Sequence, residues 1–515
     1  MKNSSIRQSV LYEIYPTSFY DSDGDGIGDL NGITEKLDYV AQFADLVWLN
    51  PFYVSPFFDG GYDVADYLNP DPRFGTKEDF VRLLNEANRR GIRVLVDLVV
   101  GHTSDRHPWF LASKRAERNA YSDYYIWTDD TFSACPYPVV RGNSERNGGY
   151  LTNFFFCQPA LNFGFAEKKY DWQMRYDDER LLPLREEIVS IMKHYLGLGV
   201  AGFRADMAFS LVKEDPDRLC TAKVWAQMIE SVRKEFPEAI FLSEWGEPAI
   251  AVGKAKFDMD FLTHDFSDGY TDLFRKESGA NVLKTSGYSF FRKEGRGDVE
   301  TFLRYFTENE RKIRTEGYIC VPSGNHDLPR LALGRDEDDL IVAMAFLFAL
   351  PAIPMIYYGD EIGMRQLNCR TKDGGYIRTG ARTPMQWSAE ENAGFSRAEP
   401  QRLYLPVDEE YRQRNADRQS LRNDSLLHFV RKLCCLRRTE SLLAADGDYA
   451  LIRQKEILRL ERFDERERLI CLFNPRNQSV RVECAGELAL SHRVVSDRNI
   501  LTMQGCSFAY VKQKR

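Results

Sequence analysis

The sequence predicts an α/β chain: a closed (β/α)8 (TIM) barrel with a subdomain inserted after strand 3 and a C-terminal antiparallel β domain. Eight short apolar runs each end in polar or acidic residues, helix-like stretches separate most of them, and one connection is far longer than the rest. In order, the runs are VLYEIYP from Val10, LVWLNP from Leu46, IRVLVDLVVGH from Ile92 and VAGFRAD from Val200. AIFLSEWGE from Ala239, MDFLTHD from Met259, YICVPSGNHD from Tyr318 and IPMIYYGDE from Ile353 complete the set. Continuous apolar strands alternating with helices form a parallel sheet covered on both faces, and eight such units close a barrel. Among the helical stretches are GTKEDFVRLLNEANRRG and LREEIVSIMKHYLGLG, the second stopped by Gly199. The run from Leu340 to Tyr358 is long enough to span a bilayer, but Pro351 and Pro354 divide it. It reads as a buried helix ending near Leu350, then a buried strand.

The long connection runs from His102 to about Lys169 and is rich in turns and aromatics, as an inserted subdomain would be. The stretch SLLHFVRKLCCLRR reads as the helix that closes the barrel, and alternating patterns such as RLICLFNP and SVRVECAG follow it. The expected division is a barrel over 1–102 and 170–440, an insert over 103–169, and a C-terminal β-sandwich over 441–515.

At 515 residues the chain exceeds one ordinary core. Hydrophobic residues at 43% and charged residues at 28% describe a soluble globular protein. A net charge of -8 gives no footprint for nucleic acid. Aromatics reach 13%, enough for a rich core or for platforms on which sugar rings stack. No long apolar stretch follows Lys2, so no secretory signal is read. The ten cysteines are scattered and form no CxxC pair, as reduced thiols of a cytoplasmic protein would be. No membrane partner is expected.

The chemistry gathers at strand ends. In VAGFRAD, Arg204 and Asp206 stand two apart, on one side of a strand. Asp206 closes the fourth run, Glu244 the fifth and Asp327 the seventh, with His102 and His326 at corresponding ends. The C-terminal ends of barrel strands form the active face. Three converging carboxylates push their pKa values apart, which suits a reaction needing a carboxylic acid and a carboxylate at the same pH. Glycoside cleavage with retention is such a reaction. Acids at strand ends also cap helices or pair with lysines. A two-metal site is the chemical rival, yet no HxH or HExxH motif occurs.

These residues lie in motifs that resemble glycoside hydrolase family 13, the α-amylase family, and especially its α-glucosidase, oligo-1,6-glucosidase and trehalose synthase branch. The resemblance rests on VLYEIYPTSFYDSDGDGIGDLNGITEKLDYV, DLVVGHTS, GFRADMAF, FLSEWGE, SGNHD and ARTPMQW, and runs over nearly the whole chain. It implies Asp206 as nucleophile, Glu244 as general acid/base and Asp327 as transition-state stabiliser, with Glu247 the competing acid/base. It also implies Tyr62 stacking on the sugar beside the cleaved bond. Asp59 and Arg382 would hold that sugar's far hydroxyl, and His102, Arg204, His326 and Gln158 would complete the contacts. The implied activity is hydrolysis of short malto- or isomalto-oligosaccharides from a chain end. Transglycosylation or isomerisation as in a trehalose synthase, endo-acting α-amylase action, and a non-catalytic accessory subunit of amino-acid transporters are the alternatives. The accessory relatives lack the carboxylates that this chain has.

A second signal is DSDGDGIGD. Asp21, Asp23 and Asp25 alternate, Gly26 permits a sharp turn, and the Ile27 carbonyl and Asp29 can complete an oxygen cage. Position twelve is Gly32, so the bidentate glutamate of a helix–loop–helix calcium site is absent. Members of the family bind calcium at this loop, which implies a structural Ca2+ here, with Mg2+ the alternative. The chain departs from the family pattern at Gly101, where an Asn usually precedes the histidine and in many α-amylases helps hold a second calcium. It departs again at Met207, where the α-1,6 enzymes carry Val and the α-1,4 enzymes Thr or Ala. The stretch between IPMIYYGDE and RTPMQW is also shorter than in typical oligo-1,6-glucosidases.

Overall fold

In a computed structural model, residues 2–514 are described except 133–134, 264–268, 277–286, 295–296, 370–371, 373–376 and 455–456. Eight parallel strands close into a barrel: β1 (Leu11–Ile14), β2 (Leu46–Leu49), β3 (Arg93–Leu98), β4 (Gly202–Ala205), β5 (Ile240–Ser243), β6 (Met259–Phe261), β7 (Tyr318–Pro322) and β8 (Ile353–Tyr357). They are the eight runs, neighbouring in sequence order, with β8 paired back to β1. Pleating sends alternate residues inward. Leu11, Leu46 and Trp48, Leu95, Ile240 and Leu242, Met259 and Phe261, Tyr318 and Cys320, Ile353 and Met355 pack as one interior cluster. Two residues further along the same strands the interior register turns polar, at Glu13, Asn50, Asp97, Arg204 and Glu244. Those residues are at most 3% exposed.

Helices cover the barrel. In α1 (Lys77–Arg89) a capping box joins Thr76 to Asp79, and α2 (Leu182–Leu198) ends at left-handed Gly199, φ 105°. The helices α3 (Leu219–Arg233) and α4 (Glu300–Ile313) follow. The apolar run beginning at Leu340 lies in α5 (Glu337–Ala349) and β8, as its prolines predict. Ser425 caps α6 (Leu426–Thr439), which packs against α5. Among the described residues no helix is long and apolar enough to cross a membrane.

The chain between β3 and α2 carries a short helix, Pro108–Ser113, and a hairpin of Val139–Arg141 with Gly149–Leu151. It is stitched to the barrel's upper rim. Thr103 N–H donates to Pro159 O at 3.3 Å, Leu161 N–H to Gly101 O at 3.1 Å, and Ala166 N–H to Lys213 O at 2.8 Å.

The tail comprises β9 (Asp448–Gln454), β10 (Ile457–Phe463), β11 (Glu467–Asn474), β12 (Val480–Glu483), β13 (Glu487–Asp497) and β14 (Ile500–Lys514). The strands expected as a sandwich over 441–515 are hydrogen-bonded into one continuous antiparallel sheet. The fifteen-residue β14 pairs with β13 along one edge and with β11 and β12 along the other. Register shifts in β13 and left-handed Cys506 (φ 50°) interrupt that ladder. One face closes on its own buried cluster, around Leu472, Leu501 and Met503, and the other packs on the barrel's helices through Phe473 and Tyr510.

Candidate active site

A cavity of about 210 Å3 opens at the C-terminal ends of the strands. It is lined by Asp59, Tyr62, His102, Asp206, Glu244 and Asp327, all expected, together with Phe154, Phe155, Met207 and Arg378. The three acids therefore face one space. Gln158, Arg204, His326 and Arg382, expected as sugar contacts, are at most 1% exposed and stand behind this wall. Glu247 does not line the cavity. It accepts from Trp245 Nε1 at 3.1 Å, at the start of a short helix.

Arg204 is the hub. Nη1 donates to Asp206 Oδ1 at 2.8 Å and to Asp97 Oδ1 at 3.0 Å, and Nη2 lies 2.6 Å from Glu244 Oε2. Trp48 covers the guanidinium, 4.6 Å from its ring centre. One positive charge thus serves three buried carboxylates, and low dielectric forbids the remaining negative charge from standing uncompensated. Burial pushes Asp206 well above the ordinary carboxylate range, with Arg204 opposing and Glu244 adding to the rise. Glu244 also accepts from Met207 N–H at 2.8 Å. Met207 is left-handed (φ 42°, ψ 43°), a backbone state costing roughly 1 kcal/mol or more for a residue with a side chain. That twist directs the amide beside Asp206 at the neighbouring acid.

Asp97 was not foreseen. It is fully buried, accepts from Trp48 Nε1 at 3.1 Å and Tyr62 Oη at 2.9 Å, and anchors the tyrosine ring beneath the cavity. The sequence signal was present: a carboxylate inside an apolar strand, two residues beyond inward-facing Leu95.

Asp327 is the opposite case. Burial opposes its charge, but Arg378, His326 and Arg382 hold it well below the usual carboxylate range. His326 Nε2 lies 3.1 Å and Arg382 Nη2 2.9 Å from its oxygens, and Arg378 Nη1 donates to Oδ1. Asp59 also departs from expectation. Its hydrogen-bonded guanidinium partner is Arg378, which bridges Asp59 and Asp327, while Gln158 Nε2 donates to its other oxygen at 2.7 Å. Arg382 turns inward to His326 O at 2.9 Å and to Asp327. The sequence RTGARTPMQW offers two arginines four apart, and only their three-dimensional placement separates the roles. His102 is neutral, since burial pushes it down to about 4. Its Nε2 donates to Tyr62 O at 3.0 Å, and Asn153 Nδ2 lies 3.2 Å from Nδ1.

A Cβ of the size any side chain brings would stand 2.6 Å from Asn153 Nδ2 at Gly101, so Asn153 occupies the space where the family's asparagine begins. Lys213 Nζ donates to Asn153 Oδ1 at 3.0 Å and Ser210 O at 2.8 Å, placing an ammonium between insert and barrel. Residues 370–371 and 373–376, in the shortened stretch, lie outside the described residues.

In the acidic loop, carboxylate oxygens of Asp21, Asp23 and Asp29 lie within 4.8 Å of one another. Asp21 and Asp29 are buried, and no described lysine or arginine is ion-paired with the three. Asp21 oxygens accept from Gly24 N–H at 2.7 Å and Gly26 N–H at 2.8 Å. Hard oxygen donors with uncompensated charge fit a divalent cation. Asp25 stands outside this cluster, its Oδ1 taking the Ile27 N–H at 2.8 Å. The DSDGD turn spends it on its own backbone.

Residues 13–446 match the family model for the α-amylase catalytic domain. The chain is 32% identical to the trehalose synthase/amylase TreS of Mycobacterium tuberculosis (strain CDC 1551 / Oshkosh) over 482 residues, 85% of this chain and 76% of that protein. It is equally 32% identical to the oligo-1,6-glucosidase of Parageobacillus thermoglucosidasius over 537 aligned positions, 91% of this chain and 90% of the other. Among solved structures, an inactive double mutant of MutB in complex with isomaltulose superposes with a TM-score of 0.83 at 25% identity, covering 98% of this chain and 99% of that one.

Proposed function

The chain belongs to the α-amylase family of glycoside hydrolases, and from that premise we propose that it is a retaining α-glucosidase. It would release glucosyl units from the ends of short malto- or isomalto-oligosaccharides in the cytoplasm. The observation that carries this reading is the pair Asp206 and Glu244, bound to the two terminal nitrogens of one buried guanidinium at 2.8 and 2.6 Å. Neighbouring acids are what double displacement needs, with carboxyl groups about 5–5.5 Å apart. Asp206 attacks the anomeric carbon as Glu244 protonates the departing oxygen, giving a glycosyl ester on Asp206. Glu244 then takes a proton from the incoming water, which cleaves the ester. Arg204 keeps the Asp206 oxygens oriented while charge moves between the two acids. Asp327, held ionised, faces the positive charge of the oxocarbenium-like transition state. The linked wall of Asp59, Arg378 and Asp327 recognises a terminal hydroxyl and favours chain ends.

The same intermediate serves isomerisation if a sugar hydroxyl arrives before water. Similarity to TreS supports this second reading and similarity to the oligo-1,6-glucosidase the first. Product analysis over maltose, isomaltose, trehalose, sucrose and maltodextrins decides between them. Glucose as the dominant product is expected, and a rearranged disaccharide would overturn hydrolysis. An activated fluoro-glucoside should label Asp206, and Asp206→Asn should abolish labelling and turnover; labelling elsewhere rejects the nucleophile. In this reading the acidic loop holds a structural Ca2+ through Asp21, Asp23 and Asp29, away from the cavity.

A further inference from the structure

We propose that Glu13 is a positioning residue for the reaction: from the first barrel strand, its carboxylate fixes His326 as an imidazolium turned toward Asp327. The role rests on the reading of the site given above. Glu13 is fully buried on the interior register of β1, two residues beyond Leu11. Its Oε1 lies 2.7 Å from His326 Nδ1 and 3.4 Å from the His326 backbone nitrogen. One oxygen therefore holds both the ring and the main chain. On the other side of the ring, Nε2 lies 3.1 Å from Asp327 Oδ2. An ionised carboxylate accepts and cannot donate, so the 2.7 Å contact calls for a proton on Nδ1. The Asn50 side-chain amide also lies 3.0 Å from Nδ1, and a protonated Nδ1 calls for the amide oxygen on that side. Nε2 is not aligned for a hydrogen bond, so its 3.1 Å approach to Asp327 is an ion pair, which the charged ring meets and a neutral one does not.

Packing fixes the plane. Tyr62 stacks on the imidazole at 5.2 Å and 8°, and Tyr15 at 6.2 Å and 11°. Trp48 meets it edge-on at 5.7 Å. The charged groups around it come from every side: Glu13 on β1, Asp97 on β3, Arg204 on β4, and Asp327 on its own loop. Arg378 and Arg382 reach Asp327 from the segment after β8. Burial alone would strip the ring's proton, but Asp327 and Glu13 outweigh it and raise His326 to about 9. Glu13 Oε2 has no hydrogen-bond partner among the described residues. Burial pushes the Glu13 carboxyl upward, and His326 is the first of the groups that oppose this. Each of the two thus keeps the other charged, and a fixed imidazolium beside Asp327 keeps that carboxylate ionised and aimed.

Glu13→Gln preserves the shape and removes the charge. His326 should then titrate nearer its ordinary value of about 6.5. Activity needing the charged ring is present below that pKa and lost above it. On an aryl α-glucoside, kcat/KM should fall about tenfold at pH 6 and about a hundredfold at pH 8.5, carried mainly by kcat. The alkaline limb should move down by more than one pH unit. An unmoved alkaline limb in the folded variant, or an equal loss at every pH, overturns the proposal. Ring-nitrogen NMR of the wild-type enzyme, labelled in its seven histidines, needs neither a folded Glu13 variant nor turnover. One imidazole, assigned by its absence from His326→Asn, should carry both protons at pH 8, and none doing so overturns the proposal. A doubly protonated ring in an enzyme inactive on glucosides would reject the glucosidase reading while upholding the ion pair.

Discussion

Arg378 and Arg382 sit four residues apart and share Asp327, yet their other partners differ. Arg378 lines the cavity and bridges Asp59 to Asp327, whereas Arg382 is fully buried and donates to the His326 carbonyl. Hydrogen bonds to charged groups are worth about 1.5–3 kcal/mol each, so Arg378→Ala should lower kcat/KM on maltose roughly a hundredfold, mostly through KM. Arg382→Ala leaves a cavity and an unsatisfied carbonyl in the interior, so its main effect should be a lower Tm. Steady-state kinetics beside a melting curve separates the two, and equal KM effects would reject the distinction. The wrong arginine was expected because RTPMQW is a strong motif and the segment before it is not. Glu13, Asn50 and Asp97, by contrast, could be read by counting in twos from Leu11, Trp48 and Leu95. The pleat that sends apolar residues inward at the barrel's base sends these inward at its top.

Two elements bring residues to the site from outside the strands. The insert delivers Phe154, Phe155 and Gln158, and its anchoring at Gly101 and Lys213 was invisible beforehand, since it joins residues 50 or more positions apart. That the acidic loop gathers aspartates was legible from their spacing. Which of them converge was not, because backbone turns decide it. A calcium ion at one hundred times its dissociation constant would stabilise the fold by about 2.7 kcal/mol. Chelation is therefore expected to lower Tm by a few degrees and to leave the initial rate at low temperature unchanged. Asp23→Asn should blunt the response of Tm to added calcium. A selective and immediate loss of activity on chelation would show that the ion is not purely structural.

The barrel and tail are joined by an apolar face and by two buried arginines. Residues 340–349 of α5 are all buried, and Phe346 meets Phe473 of β11 edge-on at 5.5 Å. Arg462 Nη1 of the tail donates to Ala349 O at 2.8 Å, and Arg437 Nη1 of α6 donates to Leu443 O. Among the described residues neither arginine is ion-paired with a carboxylate; carbonyls take their terminal nitrogens while each Nε has no partner, and burial pushes Arg437 down to about 9 and Arg462 to about 10. Removing residues 441–515 would uncover several large apolar side chains at about 1.5–3 kcal/mol each, on the order of 10 kcal/mol. That approaches the whole stability of a typical domain. The truncated chain is expected to be insoluble or to lack a cooperative melt. A soluble, active fragment ending at Glu440 would show that the barrel stands alone.

The order of apolar runs, their acidic ends and the helices between them determined the barrel and named the three acids facing the cavity, because strand periodicity and strand ends are local properties of a chain. The tail's strand pairing, the bridging of Asp59 to Asp327 by Arg378 and the pairing of Glu13 with His326 were decided only by the tertiary structure. Each depends on residues far apart in sequence meeting in a low-dielectric interior, where partner geometry and not residue type sets charge and orientation.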